Sequence, residues 1–138
     1  MTKAEKIREF GEVFTPPNIV NDMCDMLEAQ NDGERVFLPE TTFLEPACGD
    51  GAFVVEILRR KFRNCRKRQD YTTALASVYA MEIQADNVAA CIENVKALCG
   101  EFFKPTKADM EIIENHVIQA DSLKVMQMIN DMNARAEA

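Results

Sequence analysis

Apolar residues recur in blocks along the chain, and the period of each block predicts the element that it forms. In residues 15–33 the apolar positions fall at helical spacing behind a Thr-Pro-Pro entrance. We expect Thr15 to cap this helix, the prolines to occupy its first turn and Gly33 to close it. Its apolar positions are Ile19, Val20, Met23, Met26 and Leu27. The pattern therefore predicts an amphipathic helix with a proline-stiffened entrance.

The next block predicts a strand followed by a helix. Residues 41–45, TTFLE, are β-branched and aromatic, which favours a short strand that ends at Glu45. Residues 51–68 form the helix, and their apolar positions on one helical face are Phe53, Ile57, Leu58 and Phe62. The stretch FLEPACGDGAF, residues 43–53, is therefore a strand-to-helix turn that contains two glycines.

The second half of the chain repeats this order. Residues 74–83 are a continuous apolar run that predicts a strand covered on both faces, and residues 84–100 predict a helix closed by a glycine. A short helix is expected near residues 108–114. Residues 116–121 predict a third strand, and residues 122–138 a third helix with a methionine-rich core stripe. The alternation predicts a three-layer α/β domain with a parallel sheet and right-handed crossovers.

The composition limits the size and the class of the predicted protein. The 138 residues, of which 47% are apolar, are one domain's worth of an ordinary globular protein. We assign residues 1–12 to a polar arm and residues 13–138 to the domain. The start, MTKAEKIREF, lacks the apolar segment of a signal peptide, so the expected location is cytoplasmic.

The net charge of −7 argues against a broad nucleic-acid surface on this chain, because such binding depends on neutralising phosphates. Residues 59–68 are an exception with seven basic residues and no acid. They belong to the far end of the first crossover helix, where cations complement the helix dipole, so we expect a solvated end and not a DNA contact.

The cysteines and the single histidine give little evidence of function in this sequence. The five cysteines are an odd number without a CxxC pair, which favours reduced thiols over disulfides or a metal site. Cys48 has no histidine nearby in the sequence and is expected to be a packing thiol. His116, the single histidine, is expected to be an ordinary surface or satisfied residue.

The residues that follow the strands carry the candidate chemistry, because ligands of parallel sheets lie beyond the carboxyl ends of the strands. These residues are 45–51, Glu82 with Ile83, and Asp121 with Ser122. The glycines permit close approach of the backbone, and the following helix directs amides to the same place. Glu82 can accept two hydrogen bonds from ribose hydroxyls and Asp121 one from an exocyclic amine. Together these residues predict a nucleoside-binding site.

The glycine turn also limits which nucleoside ligand fits. A dinucleotide fingerprint needs a third glycine where this chain has Val54, and a phosphate-binding GK[ST] is absent. Carboxylates at Glu45 and Asp50 would repel a pyrophosphate but suit a ligand with an ammonium and a sulfonium, as in S-adenosylmethionine. Taken alone, the turn is equally compatible with a structural connection that binds no ligand.

Four segments in this order resemble the adenine-specific (N6) DNA methyltransferases of bacterial restriction-modification systems in which the cofactor half comes first. GEVFTPPNIVNDM, residues 11–23, is similar to the N-terminal motif of that family, and residues 43–53 to its glycine-rich first motif. VYAMEI, residues 78–83, and VIQADSL, residues 117–123, are similar to the second and third motifs. The resemblance implies a Rossmann-like S-adenosylmethionine-dependent methyltransferase fold, truncated after about three parallel strands.

The resemblance also implies a set of cofactor contacts. The methionine end of S-adenosylmethionine would be bordered by Phe14, Thr15 and Pro16 and lined by Glu45, Ala47, Gly49 and Gly51. The ribose would be held by Glu82, the adenine would pack on Ile83, and its amine would bind Asp121. Asp50, Phe53 and Ser122 complete the predicted cofactor site. In the complete enzyme the methyl group passes to the amine of a flipped adenine.

One part of the family pattern is missing. Its catalytic motif, an Asn, Asp or Ser followed by Pro-Pro and an aromatic residue, does not occur, since the Pro-Pro pair here lies in TPPN. No catalytic residue is therefore assigned, and DNA would be engaged through a missing C-terminal part or a partner chain. In that family a fourth strand pairs with the first, so we also expect the edge of the first strand to be covered by the N-terminal helix, a second copy or a larger enzyme.

Two other functions remain open from the sequence. The chain can be a non-catalytic, truncated methyltransferase-like module that binds cofactor or regulates a partner. Alternatively, it can be the cofactor half of a methyltransferase for an acceptor other than DNA.

Overall fold

The structure is a computed structural model that describes Thr2, residues 15–30 and residues 33–137. Phe14 and the predicted boundary between arm and domain lie outside these residues. Within them, three strands and six α-helices alternate, so the predicted α/β class is confirmed. None of the described helices is both long and apolar enough to cross a membrane.

The elements follow the predicted order with some changes in their bounds. The strands are β1 (Phe43–Glu45), β2 (Val78–Glu82) and β3 (Val117–Gln119). The helices are α1 (Pro17–Gln30), α2 (Ala52–Arg63), α3 (Arg68–Ala76), α4 (Ala85–Phe102), α5 (Lys107–His116) and α6 (Ser122–Glu137), and a 3-10 helix spans Gly33–Phe37.

The sheet is parallel, with the spatial order β1-β2-β3. Glu45 is level with Ala80, and Glu82 is level with Gln119. The carboxyl ends of all three strands therefore meet at one edge of the sheet, which is where the predicted site residues follow. β1 lies at the outside of the sheet, and no described strand pairs with its free edge.

The start of α1 differs by one residue from the prediction. The carbonyl of Pro16 accepts the first helical hydrogen bond, from the Val20 amide at 3.1 Å, so Pro16 and not Thr15 occupies the cap position. Pro17 then takes the first helical position, which suits a residue without an N–H.

The predicted strand over residues 74–83 is wrong in its first part. α3 runs through Ala76, and β2 begins at Val78 after a single residue, Ser77. The Ser77 hydroxyl donates to the Ala74 carbonyl at 2.7 Å and so closes the helix. Because the run is apolar throughout, its pattern has no period that separates the end of a buried helix from a buried strand.

Two predicted helix ends are also wrong. α2 ends at Arg63, and not at residue 68, because the Asn64 amide turns back to the Lys61 carbonyl. α4 passes through Gly100 and ends at Phe102. Phe102 and the following Phe103 each lie 5.4 Å from the ring of Phe62, and this aromatic packing holds the last turn of α4 in place.

The core lies between the sheet and the packed helices α2 and α4. Its central buried residues are Val54, Ile57, Leu58, Phe62, Val78, Ala80, Val95 and Leu98. α1 packs on α2 through Val20 and Cys24. The predicted apolar face of α1 is only partly correct, since Ile19, Met23 and Met26 are between 41% and 58% exposed.

Residues 59–68, the basic run, make more structural contacts than the sequence predicts. Arg60 binds three carboxylates, those of Asp25, Glu28 and Glu56, at 2.8–2.9 Å, and so joins α1 to α2. Arg68 pairs with the buried Asp109. These partners support a structural role for the run, although it is not simply a solvated helix end.

Lys61 of the same run is fully buried. Its ammonium donates to the carbonyls of Leu38, Pro39 and Thr41, in the segment that leads into β1. It also lies 5.1 Å from the centre of the Phe43 ring. Burial lowers the pKa of Lys61 to about 8. This side chain therefore fixes the position at which the first strand starts.

One face of the sheet is largely exposed in the described part of the chain, although Met81, which is level with Ile118, is buried there. Leu44, Tyr79 and Ile118 point away from α2 and α4 and are 59%, 41% and 44% exposed. α6 contains no buried residue. The expected methionine core stripe is therefore wrong. The described residues form no third layer on this face, although the His116 ring at the end of α5 stacks on Tyr79 at 4.3 Å.

The burial of Lys61 predicts a pH-dependent stability. The pKa of the folded state, about 8, lies below the ordinary value of 10.5, so the unfolded state binds more protons between these pH values. The free energy of unfolding of the wild type, relative to that of Lys61→Met, should therefore rise from pH 8 to pH 10.5 by about 1–3 kcal/mol. Urea titrations at several pH values measure this difference, and the cysteine ionisations cancel because both proteins contain them.

The exposed Lys104 offers a matched control. The free energy of unfolding of the wild type, relative to that of Lys104→Met, should show no such rise. An equal pH dependence in both variants would contradict a special role for the buried lysine.

Candidate functional site

The turn after β1 requires its two glycines. Gly49 and Gly51 have φ values of 55° and 98°, in the left-handed region that side chains disfavour. Gly51 is also the residue from which α2 begins, and a Cβ on it would lie 2.6 Å from the Cys91 sulfur of α4. The glycines thus allow α2 to start close against α4, with its first amides directed toward the edge of the sheet.

The glycine turn is attached to the end of β2. The Cys48 amide donates to the Met81 carbonyl at 2.9 Å, and the Gly49 amide donates to the Glu82 carboxylate at 3.3 Å. Within the turn, Glu45 accepts a hydrogen bond from the Ala47 amide at 3.2 Å. These contacts fix the backbone path of the turn relative to the sheet.

Glu82 is the residue that connects the parts of the site. It is 8% exposed, and its carboxylate also accepts from the Gln84 amide at 2.8 Å and from the Asn87 side chain at 3.5 Å. Together with the bond from Gly49, these contacts occupy three of the roughly four acceptor positions of a carboxylate. Glu82 therefore holds the turn, and one position on its Oε1 remains for another donor.

The third strand adds Asp121 to the same edge. The Ala120 amide donates to the Glu82 backbone carbonyl at 3.0 Å, which keeps the ends of β2 and β3 together. Asp121 caps α6, since its Oδ1 accepts from the amides of Leu123 and Lys124 at 3.1 and 3.4 Å. Asp121 therefore has a structural role as a helix cap.

The structure thus brings the three predicted segments together at one edge of the sheet. Ala47 and Ile83 are exposed there, and Asp50 and Ser122 are half-buried. Phe53 instead packs against the core. Whether any of these residues contacts a cofactor remains a prediction.

A cavity of about 600 Å³ lies beside the glycine turn. Its walls come from the start of α1, from the turn and from the outer sides of α2 and α4, and they include Pro17, Asp50 and Gly51. The start of α1 therefore lies next to the glycine turn, as the predicted roles of Thr15 and Pro16 require. Glu82 and Asp121 do not line this cavity, which extends away from the strand ends.

Three residues of α4 that support the turn were not predicted. Asn87 binds the Glu82 carboxylate, Cys91 packs against Gly51, and the Asn94 side chain donates to the Asp50 carbonyl at 2.9 Å. Their spacing of four and three residues puts them on one face of the helix. Polar and small residues at this spacing directly after Glu82 were the signal that could have identified them.

The electrostatics of the turn are acidic. Glu45 and Asp50 lie in it and Glu82 lies beneath it, an arrangement that favours a positively charged ligand group. Cys48 is buried in the same turn, and its hydrogen bond with Cys91, together with burial, raises the pKa of its thiol. Cys48 therefore packs in the turn as a buried thiol, whose raised pKa disfavours the thiolate.

The chain is similar to one curated protein, the Type II methyltransferase M.VspI of Vibrio sp. (strain 343). The two are 28% identical over 90 residues, which are 65% of this chain and 18% of the Vibrio protein. No family model matches the chain, and no solved structure matches it. The similarity supports a relationship to methyltransferases, and the matched part spans less than a fifth of the relative's length.

The geometry of Gly51 predicts the effect of two glycine substitutions. Gly51→Ala should destabilise the protein by about 1–3 kcal/mol, because the new Cβ meets Cys91 and the backbone has a left-handed φ. Gly100→Ala is the matched control, since that glycine is helical with nothing within 4 Å of a new Cβ, and should stabilise by about 0.5–1 kcal/mol. Thermal and urea unfolding measure both changes, and a neutral Gly51→Ala would contradict the close packing of the turn.

Proposed function

We propose that the chain is the S-adenosylmethionine-binding part of a DNA adenine-N6 methyltransferase. The observation that carries the proposal is the glycine turn, whose backbone is held by the buried carboxylate of Glu82 and flanked by two further acids. The similarity to a type II methyltransferase supports methyl transfer in general. S-adenosylmethionine is the methyl donor that fits an acidic turn with an exposed backbone.

The methionine end of the cofactor has its partners in the glycine turn. Its ammonium and sulfonium are attracted by Glu45 and Asp50, while its carboxylate faces the amides at the start of α2. Thr15 and Pro16, directly before α1, border this end in the proposal, since the next residue, Pro17, lines the same cavity as the turn.

The nucleoside end has its partners at β2 and β3. A ribose hydroxyl donates to the remaining acceptor position of Glu82, so the sugar and the turn share this carboxylate. The exposed side chain of Ile83 offers an apolar surface to the adenine ring. Asp121 accepts a hydrogen bond from the adenine amine while it continues to cap α6.

The proposed reaction is direct transfer of the sulfonium methyl group to the amine of a flipped adenine. The chain holds and orients the donor, and the carbonyl groups that accept hydrogen bonds from the target amine come from a C-terminal part outside these 138 residues or from a partner chain. The Asn-Pro-Pro-aromatic motif that would supply them is absent from these 138 residues. This absence equally favours a second candidate, a non-catalytic module that binds the same cofactor.

Calorimetric titration tests cofactor binding. S-adenosylmethionine should bind the purified chain and NAD should not, because a pyrophosphate is repelled by the acidic turn. Glu45→Gln should weaken S-adenosylmethionine binding about threefold to tenfold, since the amide keeps the oxygen that bonds Ala47 but loses the charge. Glu40→Gln, at an exposed acid that precedes β1, should leave the affinity unchanged. Equal binding of NAD, or no binding of either ligand, would contradict the proposal.

Methyl transfer is tested separately with radiolabelled S-adenosylmethionine and DNA of varied sequence. The chain alone should transfer no label, because it lacks the groups that position the acceptor. Label on DNA without any added protein would overturn the need for a partner.

A further inference from the structure

Two cysteine thiols meet where the glycine turn contacts α4. Cys48 lies in the turn, Cys91 lies on α4, and their side chains are hydrogen-bonded to each other. Both are free thiols, and they are 8% and 0% exposed. The two residues are far apart in the sequence, so the fold is what brings them together.

Gly51 shows how closely Cys91 approaches the turn. A Cβ on this glycine would lie 2.6 Å from the Cys91 sulfur and 3.3 Å from the Cys91 Cα atom. The Gly51 amide donates to the Cys48 carbonyl at 2.9 Å, so Cys48 and Gly51 are the two ends of one tight turn. Cys91 therefore contacts the turn through the backbone of one end and the thiol of the other.

The other three thiols have different neighbours. Cys24 lies near the Arg60 guanidinium, and Cys99 lies near the Asp109 carboxylate. Cys65, which is half-buried, donates its thiol to a backbone carbonyl of α2 at 3.3 Å. These neighbours are charged or backbone groups, whereas in the glycine turn a thiol faces a second thiol.

Oxidation of the facing pair by hydrogen peroxide gives a disulfide. One thiol, as its thiolate, attacks the peroxide and becomes a sulfenic acid, and the other peroxide oxygen leaves as water with the proton that the thiol released. The second thiol then displaces the sulfenic hydroxyl as water, and the S–S bond forms. In total, two thiols lose two hydrogen atoms to one peroxide, and a dithiol reductant reverses the step by thiol–disulfide exchange.

The position of the two thiols assigns their order in this reaction. Cys48 retains some exposure and Cys91 has none, so a small peroxide reaches Cys48 first and Cys91 attacks the resulting sulfenic acid. The hydrogen bond with Cys91 and burial raise the pKa of Cys48, so little thiolate is present. We therefore expect a slow oxidation that proceeds when the turn opens.

A disulfide would change the shape of the glycine turn. The two sulfurs would move from nonbonded contact to a separation of about 2 Å, which draws Cys48 toward α4. Gly51 cannot follow this movement, since it already packs on Cys91. The turn would therefore deform at Gly49, whose bond to the Glu82 carboxylate is long, at 3.3 Å.

We propose that Cys48 and Cys91 form a reversible disulfide, which releases Gly49 from Glu82 and so changes the backbone of the candidate site. The pair is then a modification site for peroxides, with a reduced and an oxidised form of the turn. The consequence for S-adenosylmethionine rests on the proposed function. The oxidised chain should bind it about tenfold more weakly, because the turn no longer has the preorganised shape.

The test treats the purified chain with hydrogen peroxide and maps disulfides by mass spectrometry of non-reduced peptides. The expected product is one intramolecular disulfide between Cys48 and Cys91, which dithiothreitol reverses fully. Cys65→Ser should leave its yield unchanged. Cys91→Ser should abolish it and leave a sulfenic acid on Cys48, which dimedone labels.

Hydrogen exchange of the ¹⁵N-labelled chain tests the effect on the turn. In the oxidised form the Gly49 amide should exchange about tenfold faster than in the reduced form, because it has lost its acceptor. The Gly100 amide, near the other end of α4, should exchange at the same rate in both forms and serves as the internal reference.

The outcomes distinguish this inference from the proposed function. Oxidation of Cys65 without a disulfide between Cys48 and Cys91 would overturn the proposal, since the peroxide acted and the pair did not. Unchanged Gly49 exchange in the disulfide form would overturn it as well. A disulfide that releases Gly49 in a chain that binds no S-adenosylmethionine in either form would keep the redox site and reject the proposed function.

Discussion

The hydrogen bonds of the Glu82 carboxylate are the interaction on which the site depends. The carboxylate is buried at the end of β2 and accepts bonds from the turn after β1 and from the start of α4. Hydrogen bonds to a charged acceptor are stronger than neutral ones, and a buried carboxylate without them would be costly. The same residue receives the Ala120 amide on its backbone carbonyl. Three strand ends are therefore held relative to one residue, through its carboxylate and its backbone carbonyl.

This arrangement explains how a short chain can present a preorganised surface. Lys61 fixes the segment before β1, the glycines let α2 begin against α4, and Glu82 holds the backbone between them. The side of the turn that is proposed to face the ligand is then backbone with Glu45 and Asp50 beside it. Its chemistry suits a cation with a polar tail, and the weak similarity to a type II methyltransferase agrees with a sulfonium donor.

The sequence predicted the elements that have a clear hydrophobic period, and it predicted the turn that contains two glycines. The turn, the parallel order and the convergence of Glu45, Glu82 and Asp121 follow from strands that end in acids and lead into helices. Features that depend on tertiary contacts were not predictable in the same way. The boundary at Ser77 lies inside a uniformly apolar run, and the end of α4 past Gly100 depends on aromatic packing.

The exposed stripe of α6 and the open sheet face have a related cause. Their patterns are those of buried elements, so the sequence predicted burial, but these positions are exposed among the described residues. The sequence places Asn87, Cys91 and Asn94 on one face of α4, but it does not identify the glycine turn as the partner of that face. Their supporting role was missed for this reason.

The most direct test of the central claim is a titration of the ¹⁵N-labelled chain with S-adenosylmethionine, followed by NMR. If the glycine turn is the cofactor site, the amide signals of Gly49 and Gly51 shift first and most strongly, together with that of Ile83. Shifts confined to the outer sides of α2 and α4, or no shift at the glycines at saturating cofactor, would contradict it.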